Sequence, residues 1–260
     1  MRARKTIQQS HLKFQIPQGK ALQQRLESVM EVLYLIFNEG FHSNKPDILI
    51  RKELCGEAMR LTQMLLKNEL TRTPEVYALY TLMCFHSARL ETKTNAENEL
   101  LDLKNQDRTQ WYFPLIKMGN SMMNKAVVEQ TTFSCYHYEA AIASEHLRAK
   151  TFEDTDWDKI HYWYQCLNAL QPMPIHVLNM AVVCIQNRDL DIAKTYLDDI
   201  NAKDFEQRAY LFYGAQAEYF IAINKRNDAI KYLDLALNAV NNSLEKEYLQ
   251  KKKLKLLKHK

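Results

Sequence analysis

The chain has little of what turns and strands are built from. Its 260 residues include only 5 Gly and 6 Pro. That scarcity disfavours strand-and-turn architectures and favours helices joined by short loops. Long apolar runs are missing too. Stretches such as Val32-Leu33-Tyr34-Leu35-Ile36-Phe37 fall far short of the ~20 residues a bilayer-crossing helix needs. The first residues lack the apolar segment of a secretion signal, so the expected location is cytoplasmic, with no membrane contact. Cys55, Cys84, Cys135, Cys166 and Cys184 include no C-x-x-C pair; in apolar helical surroundings they read as buried reduced thiols. Active-site signatures are also lacking: no glycine-rich phosphate loop, no H-E-x-x-H, no paired-cysteine zinc pattern and no G-x-S-x-G elbow.

One cluster remains to weigh as a metal or hydrolytic site, formed by His137, Glu139, Glu145 and His146. His137 and His146 are nine residues apart, which turns them to opposite sides of one helix. No metal, no cofactor and no catalytic residue is therefore assigned. The expectation is a protein that is not an enzyme.

Charge is informative by position. Residues 1–20 carry five basic side chains and no acid, and residues 251–260 carry six Lys and no acid. The stretch between them is net acidic. A nucleic-acid partner would meet an end rather than the body, and the lysines read as a solubilising tail at a helix C-terminus.

What the chain does have is a repeat. Ala181 and Ala217, Ala193 and Ala229, and Leu197 and Leu233 are each 36 residues apart. Within 175–241 each copy reads as a helix with a small residue, a polar turn and a second helix. This is close to the tetratricopeptide pattern, in which small residues let the two helices of a hairpin approach. The whole chain is expected to be all-α, with antiparallel hairpins stacked as a right-handed solenoid or bundle. Its divisions are a basic segment and linker over 1–20, one helical domain over 21–250 and the tail over 251–260.

Apolar spacing sets the earlier helices. Leu22, Leu26, Val29, Leu33 and Ile36 mark one buried face from about Ala21 to Glu39, with Gly40 as its stop. Thr73-Pro74-Glu75 opens a third helix with a capping hydroxyl and a proline at the first position. Trp111, Leu115, Met118 and Met122 share a stripe on another, where Pro114 must kink the helix or define its first turn. Asp156 caps the helix of Trp157. Polar residues lie beside these stripes: Asn38, Glu39, Arg51, Glu57, Arg60, His86, Arg89, Asp107 and Arg108. Two readings stand for them, a buried network that satisfies itself and a surface that meets a partner.

Several ordered motifs carry a resemblance. They are Leu35-Ile36-Phe37-Asn38-Glu39-Gly40-Phe41, Arg51 through Leu61, Leu82-Met83 with His86 and Ala88-Arg89, and Gln106-Asp107-Arg108 with Trp111. Ala140-Ala141-Ile142-Ala143 with His146, Thr155-Asp156-Trp157 and Leu178-Asn179-Met180-Ala181-Val182 complete the series. In order and spacing the chain resembles the tetratricopeptide-like C-terminal extension of a group of bacterial extracytoplasmic-function sigma factors. It departs from that pattern at Phe41, usually Tyr, at Met180, usually Arg, and at Gln165, usually Asp. The resemblance implies a regulatory domain that controls transcription initiation by contact with RNA polymerase, with sigma-factor regions or with a regulatory protein. DNA would be reached only through promoter-recognition regions that this chain lacks, with Arg2, Arg4 and Lys5 as the last turn of the DNA-recognition helix. The expected contact surface is the concave face around Asn179, Tyr210 and Tyr213, together with the polar groups near Asn38 and Glu39. The other reading of the same repeats is a free-standing adaptor unrelated to transcription.

Overall fold

A computed structural model describes residues 19–43, 45–128 and 130–258. Arg2, Arg4 and Lys5 lie outside these residues. Eleven α-helices follow one another among the described residues: α1 (Lys20–Phe41), α2 (Lys52–Lys67), α3 (Pro74–Ser87), α4 (Phe113–Val127), α5 (Cys135–Arg148), α6 (Trp157–Leu170), α7 (Pro174–Asn187), α8 (Leu190–Asp198), α9 (Ala209–Ala222), α10 (Arg226–Ala239) and α11 (Ser243–Lys258). Short 3-10 turns at Leu90–Lys93, Arg108–Gln110 and Ala202–Arg208 lie between them. No strand forms among the described residues; one isolated bridge pairs Thr94 with Leu100. The fold is all-α, with neighbouring helices packed as stacked hairpins.

The repeat positions are the hairpin contacts. Ala181, Ala193, Ala217, Ala229 and Leu233 are fully buried and Leu197 is 1% exposed. Each small residue admits the backbone of the opposite helix, and each leucine fills the space left beside it. Two apolar clusters lie within these hairpins, one under α7–α9 and one under α9–α11. A third, under α1–α5, centres on Phe37, Leu79 and Phe85. A fourth joins α5, α6 and α7 through Ile142, Ile160, Leu167 and Val183.

Glycine works differently from the sequence expectation. Helix α1 does not stop at Gly40 but runs through it to Phe41. A Cβ at Gly40 would stand 2.7 Å from the Cys55 amide nitrogen and 2.8 Å from its sulfur. The residue serves close approach, letting its carbonyl accept from the Arg51 amide at 2.7 Å. The buried face of α1 is also rotated from the one expected. Leu26, Met30, Leu33, Phe37 and Gly40 are inside, whereas Val29, Val32 and Leu35 are 39%, 54% and 60% exposed.

Two further corrections concern helix starts. Trp111 precedes α4 rather than riding on it, and Pro114 sits in the first turn, where a missing N–H costs nothing. The α4 helix then crosses α3 closely at Gly119, where a Cβ would fall 2.4 Å from the Phe85 ring. Thr73 stands at the N-cap of α3 in extended geometry, but its hydroxyl makes no capping bond and is buried without a partner.

The last helix returns to the first half of the chain. Ser243 N–H donates to the Pro46 carbonyl at 2.8 Å, and Asn242 Nδ2 donates to Lys45 O at 2.8 Å. Tyr248 reaches Asp102 at 2.7 Å, and Lys251 pairs with Glu99. The lysines up to Lys258 lie on α11, with Lys252 pairing with Glu218 and Lys253 with Asp234. They tie elements together instead of forming a free tail.

Candidate functional site

A partly open cavity of about 250 Å³ lies where α3, α5, α6 and α7 converge, lined by His86, Arg89, Glu139, His146, Tyr164 and Asn179 among others. Through His146, Tyr164 and Asn179 it continues into a second space of about 440 Å³ that reaches Trp157 and α11. The charged and polar lining is enclosed by protein but keeps some accessible surface. That surface is the cavity wall.

Helix α3 supplies the first side of the wall. His86 lies in its last turn and Arg89 caps the 3-10 turn that follows. Arg89 Nη2 donates to His86 Nδ1 at 3.1 Å. Because a guanidinium can only donate, the His86 proton must sit on Nε2. The His86 ring packs on Phe41 at 4.7 Å between centroids. Burial, reinforced by nearby Arg89 and Lys93, holds His86 neutral, its pKa well below the ordinary value. Burial also pulls the Arg89 guanidinium down to about 10, which leaves it charged at neutral pH.

Helix α5 supplies the opposite side. Tyr34 Oη, from α1, donates to Glu139 Oε2 at 2.5 Å. Burial pushes the Glu139 carboxyl up to about 7, opposed by that hydrogen bond. About two turns further along, His146 leaves Nδ1 buried without a partner, and burial followed by Arg89 and Arg108 brings its pKa down to about 3. Its ring meets Trp157 edge-on at 5.6 Å, and Phe152 closes on the other side of Trp157 at 5.0 Å. Tyr164 stays protonated because of burial and the neighbouring Glu139, and it shares a hydrogen bond with Asn179.

Arg108 fixes the geometry from outside the cavity. Its Nη1 donates to the carbonyls of His146 and Ala149 at 2.6 and 2.8 Å, capping the C-terminal end of α5 as a cation does favourably. Its guanidinium lies 4.9 Å from the Trp111 ring centroid, and Trp111 Nε1 donates to Thr92 at 3.1 Å. Asp107 accepts from the Thr109 amide at 2.9 Å and caps that short turn; it does not cap a helix bearing Trp111. Asp156 accepts from the Lys159 amide at 3.1 Å at the start of α6.

The remaining polar residues do not join this group. Glu57 and Arg60 pair with each other on the solvent face of α2 at 2.7 Å. Arg51 bonds to Glu53 at 3.1 Å and approaches Glu39 at 3.9 Å, while Glu39 accepts from Ser43 at 2.7 Å. Asn38 contacts Tyr34, one step removed from Glu139. Of the residues expected to meet a partner, Asn179 lines the cavity, while Tyr210 and Tyr213 also make internal contacts. Tyr210 Oη donates to Glu245 of α11 at 2.7 Å, and Tyr213 packs into the apolar clusters of α9. The sequence reading places Glu139 only in a candidate metal cluster and does not assign Tyr34 or Tyr164 to the site. Their one signal was polar tips on otherwise apolar helix faces.

Ser134 and His137 look at first like a nucleophile and its base, with Oγ 2.8 Å from Nδ1. They form a capping box instead. The Ser134 amide donates to His137 Nδ1 at 3.1 Å, and Nε2 is satisfied by the Ala126 carbonyl at 3.1 Å. Among the described residues, no three His, Cys, Asp or Glu side chains stand where one ion could be held, nor is any helix long and apolar enough to cross a membrane. All five cysteines are free, with Cys55, Cys84 and Cys184 buried and Cys135 and Cys166 half-buried.

Half of this site lies in a segment with a known counterpart. Residues 25–127 match a family of unknown function, DUF6596. That segment brings Tyr34, His86, Arg89 and Arg108; Glu139, His146, Tyr164 and Asn179 come from beyond it. An uncharacterized protein of Rhizobium meliloti (strain 1021) is 28% identical over 250 residues, which is 96% of this chain and 58% of that protein. The chain therefore spans little more than half the length of this curated relative. No solved structure matches.

Proposed function

We propose that the chain is a protein-interaction domain that regulates transcription initiation through contact with RNA polymerase or with the promoter-recognition regions of a sigma factor. The observation that carries the reading is the ordered series of motifs from Leu35 to Val182, which resembles the extension of extracytoplasmic-function sigma factors. A stacked-hairpin fold with an exposed apolar stripe is in keeping with it. Val29, Val32 and Leu35 are spaced along the outer face of α1 and are 39%, 54% and 60% exposed. Exposed apolar side chains grouped in this way mark surfaces that meet other proteins. On this reading the outer face of α1 is one contact surface, beside the expected one around Asn179, Tyr210 and Tyr213.

Immobilised chain is offered purified core RNA polymerase and, separately, the promoter-recognition regions of an extracytoplasmic-function sigma factor. Retention of either, lost in V32E/L35E, supports the proposal, as does a change in promoter-dependent transcript when the chain is added. Retention of neither, with transcript unchanged, defeats it. Capture of unrelated proteins in their place would favour the adaptor reading.

A further inference from the structure

Among the described residues, Arg89 forms no ion pair with an acid. Its guanidinium is enclosed by protein, and its one hydrogen bond among the described residues is to His86. That leaves most of its ~5 N–H donors unused. The Phe41 ring, 5.5 Å from the guanidinium carbon, offers a π face but no oxygen. The neighbouring cations are already occupied: Arg108 by the carbonyls of His146 and Ala149, and Lys93 by the Phe41 carbonyl. Arg89 is partly exposed and lines the cavity, so its unused donors are open to water and to any acceptor that replaces water there. Across the cavity, His146 Nδ1 is likewise unpartnered. Two separate elements thus bring unused hydrogen-bonding capacity to one space.

We infer that this cavity binds a small organic monocarboxylate, its carboxylate held by Arg89 and its apolar body against Ile142, Leu167 and Ile175. The planar fork of a guanidinium fits a carboxylate through two parallel hydrogen bonds. His146 gives a second polar contact at the far end. Charge sets the valence. One uncommitted cation faces a space that also contains the Glu139 carboxyl, so a single negative charge is accommodated and a phosphate dianion is not. A space of about 250 Å³ is large enough for a small organic acid. This inference does not depend on any role in transcription.

The whole chain is titrated by calorimetry with benzoate, butyrate and 3-methylbutanoate, with inorganic phosphate and succinate as comparison arms. The imidazole proton resonances of His86 and His146 are followed in parallel. Saturable binding of at least one monocarboxylate that shifts both imidazoles is expected. In Arg89→Gln the affinity falls by ~10-fold or more, the scale of one charge-assisted hydrogen bond, while the surface change Glu57→Gln leaves it intact. If Arg89→Gln does not fold, His146→Phe and the imidazole shifts of the unaltered chain decide. Three results overturn the inference: no saturation by any monocarboxylate, binding that moves neither imidazole, or preference for phosphate or succinate.

Discussion

Tyr248 Oη donates to Asp102 Oδ2 at 2.7 Å across 146 residues of sequence. This bond, with Ser243 on Pro46 and Lys251 on Glu99, fastens the last helix to loops of the first half. Tyr248→Phe removes the donor and leaves the ring in place. It should destabilise the chain by ~1 kcal/mol and speed amide exchange selectively in α11. Unchanged α11 exchange would show that the contact does not hold that helix.

Gly40→Ala tests the closest approach in the first half. The added methyl would stand 2.9 Å from the Arg51 carbonyl oxygen as well as against Cys55, and both neighbours are backbone or locked side chain. Despite the better helix propensity of alanine, the variant should lose ~1–3 kcal/mol in urea unfolding. A neutral or stabilised variant would mean that α1 and α2 can move apart freely.

Acid should weaken the fold. His86, His137, His146, His161 and His176 all have pKa values depressed chiefly by burial. Their neutral forms are favoured in the folded state, so stability is complete above the unfolded histidine pKa and is lost as pH falls below it. Glu139, raised to about 7, works in the opposite sense, gaining stability as pH falls from there toward the ordinary carboxyl range. The histidines outnumber it. Urea unfolding at pH 7.5 and 5.5 should show a net loss of ~1–3 kcal/mol, made larger by Glu139→Gln. No loss in either protein would contradict the neutral-histidine assignment.

Lys93 gives a signature on the alkaline side. It is 6% exposed, bonds to the Phe41 carbonyl and lies 3.7 Å from that ring's centroid. Burial, followed by repulsion from Arg89, brings its pKa down to about 7. Between there and the unfolded lysine value the unfolded chain binds more protons, so this residue makes stability rise with pH. From pH 7.5 to 9 the unaltered chain should gain ~1–2 kcal/mol relative to Lys93→Met. Parallel profiles for the two proteins would refute the shift.

The repeat helices were legible because periodicity and burial are the same fact seen twice. Ala181 with Ala217 and Leu197 with Leu233 are inside because hairpin packing demands it at fixed intervals. Gly40 misled because glycine both ends helices and lets them touch, and only the position of Cys55 distinguishes the two uses. Val29 misled because an apolar residue on a helix can face outward at modest cost. His86, Arg89 and His146 were recognisable as polar residues set in apolar stripes. That they surround one cavity was not, since their helices are separated by tens of residues and meet through tertiary packing alone. The bond from Tyr210 to Glu245 was not legible, because a local repeat carries no information about where α11 will lie.

Open stacks of hairpins can be lengthened or shortened by whole units, since each unit touches only its neighbours. Here the chain end is latched to residues 45–48 and 99–102. An extra hairpin spliced in after Asn187 would carry Ser243 past Pro46 and unseat every one of those bonds together. Copy number in this molecule is therefore set by circumference. Variation in length has to be absorbed in the loops.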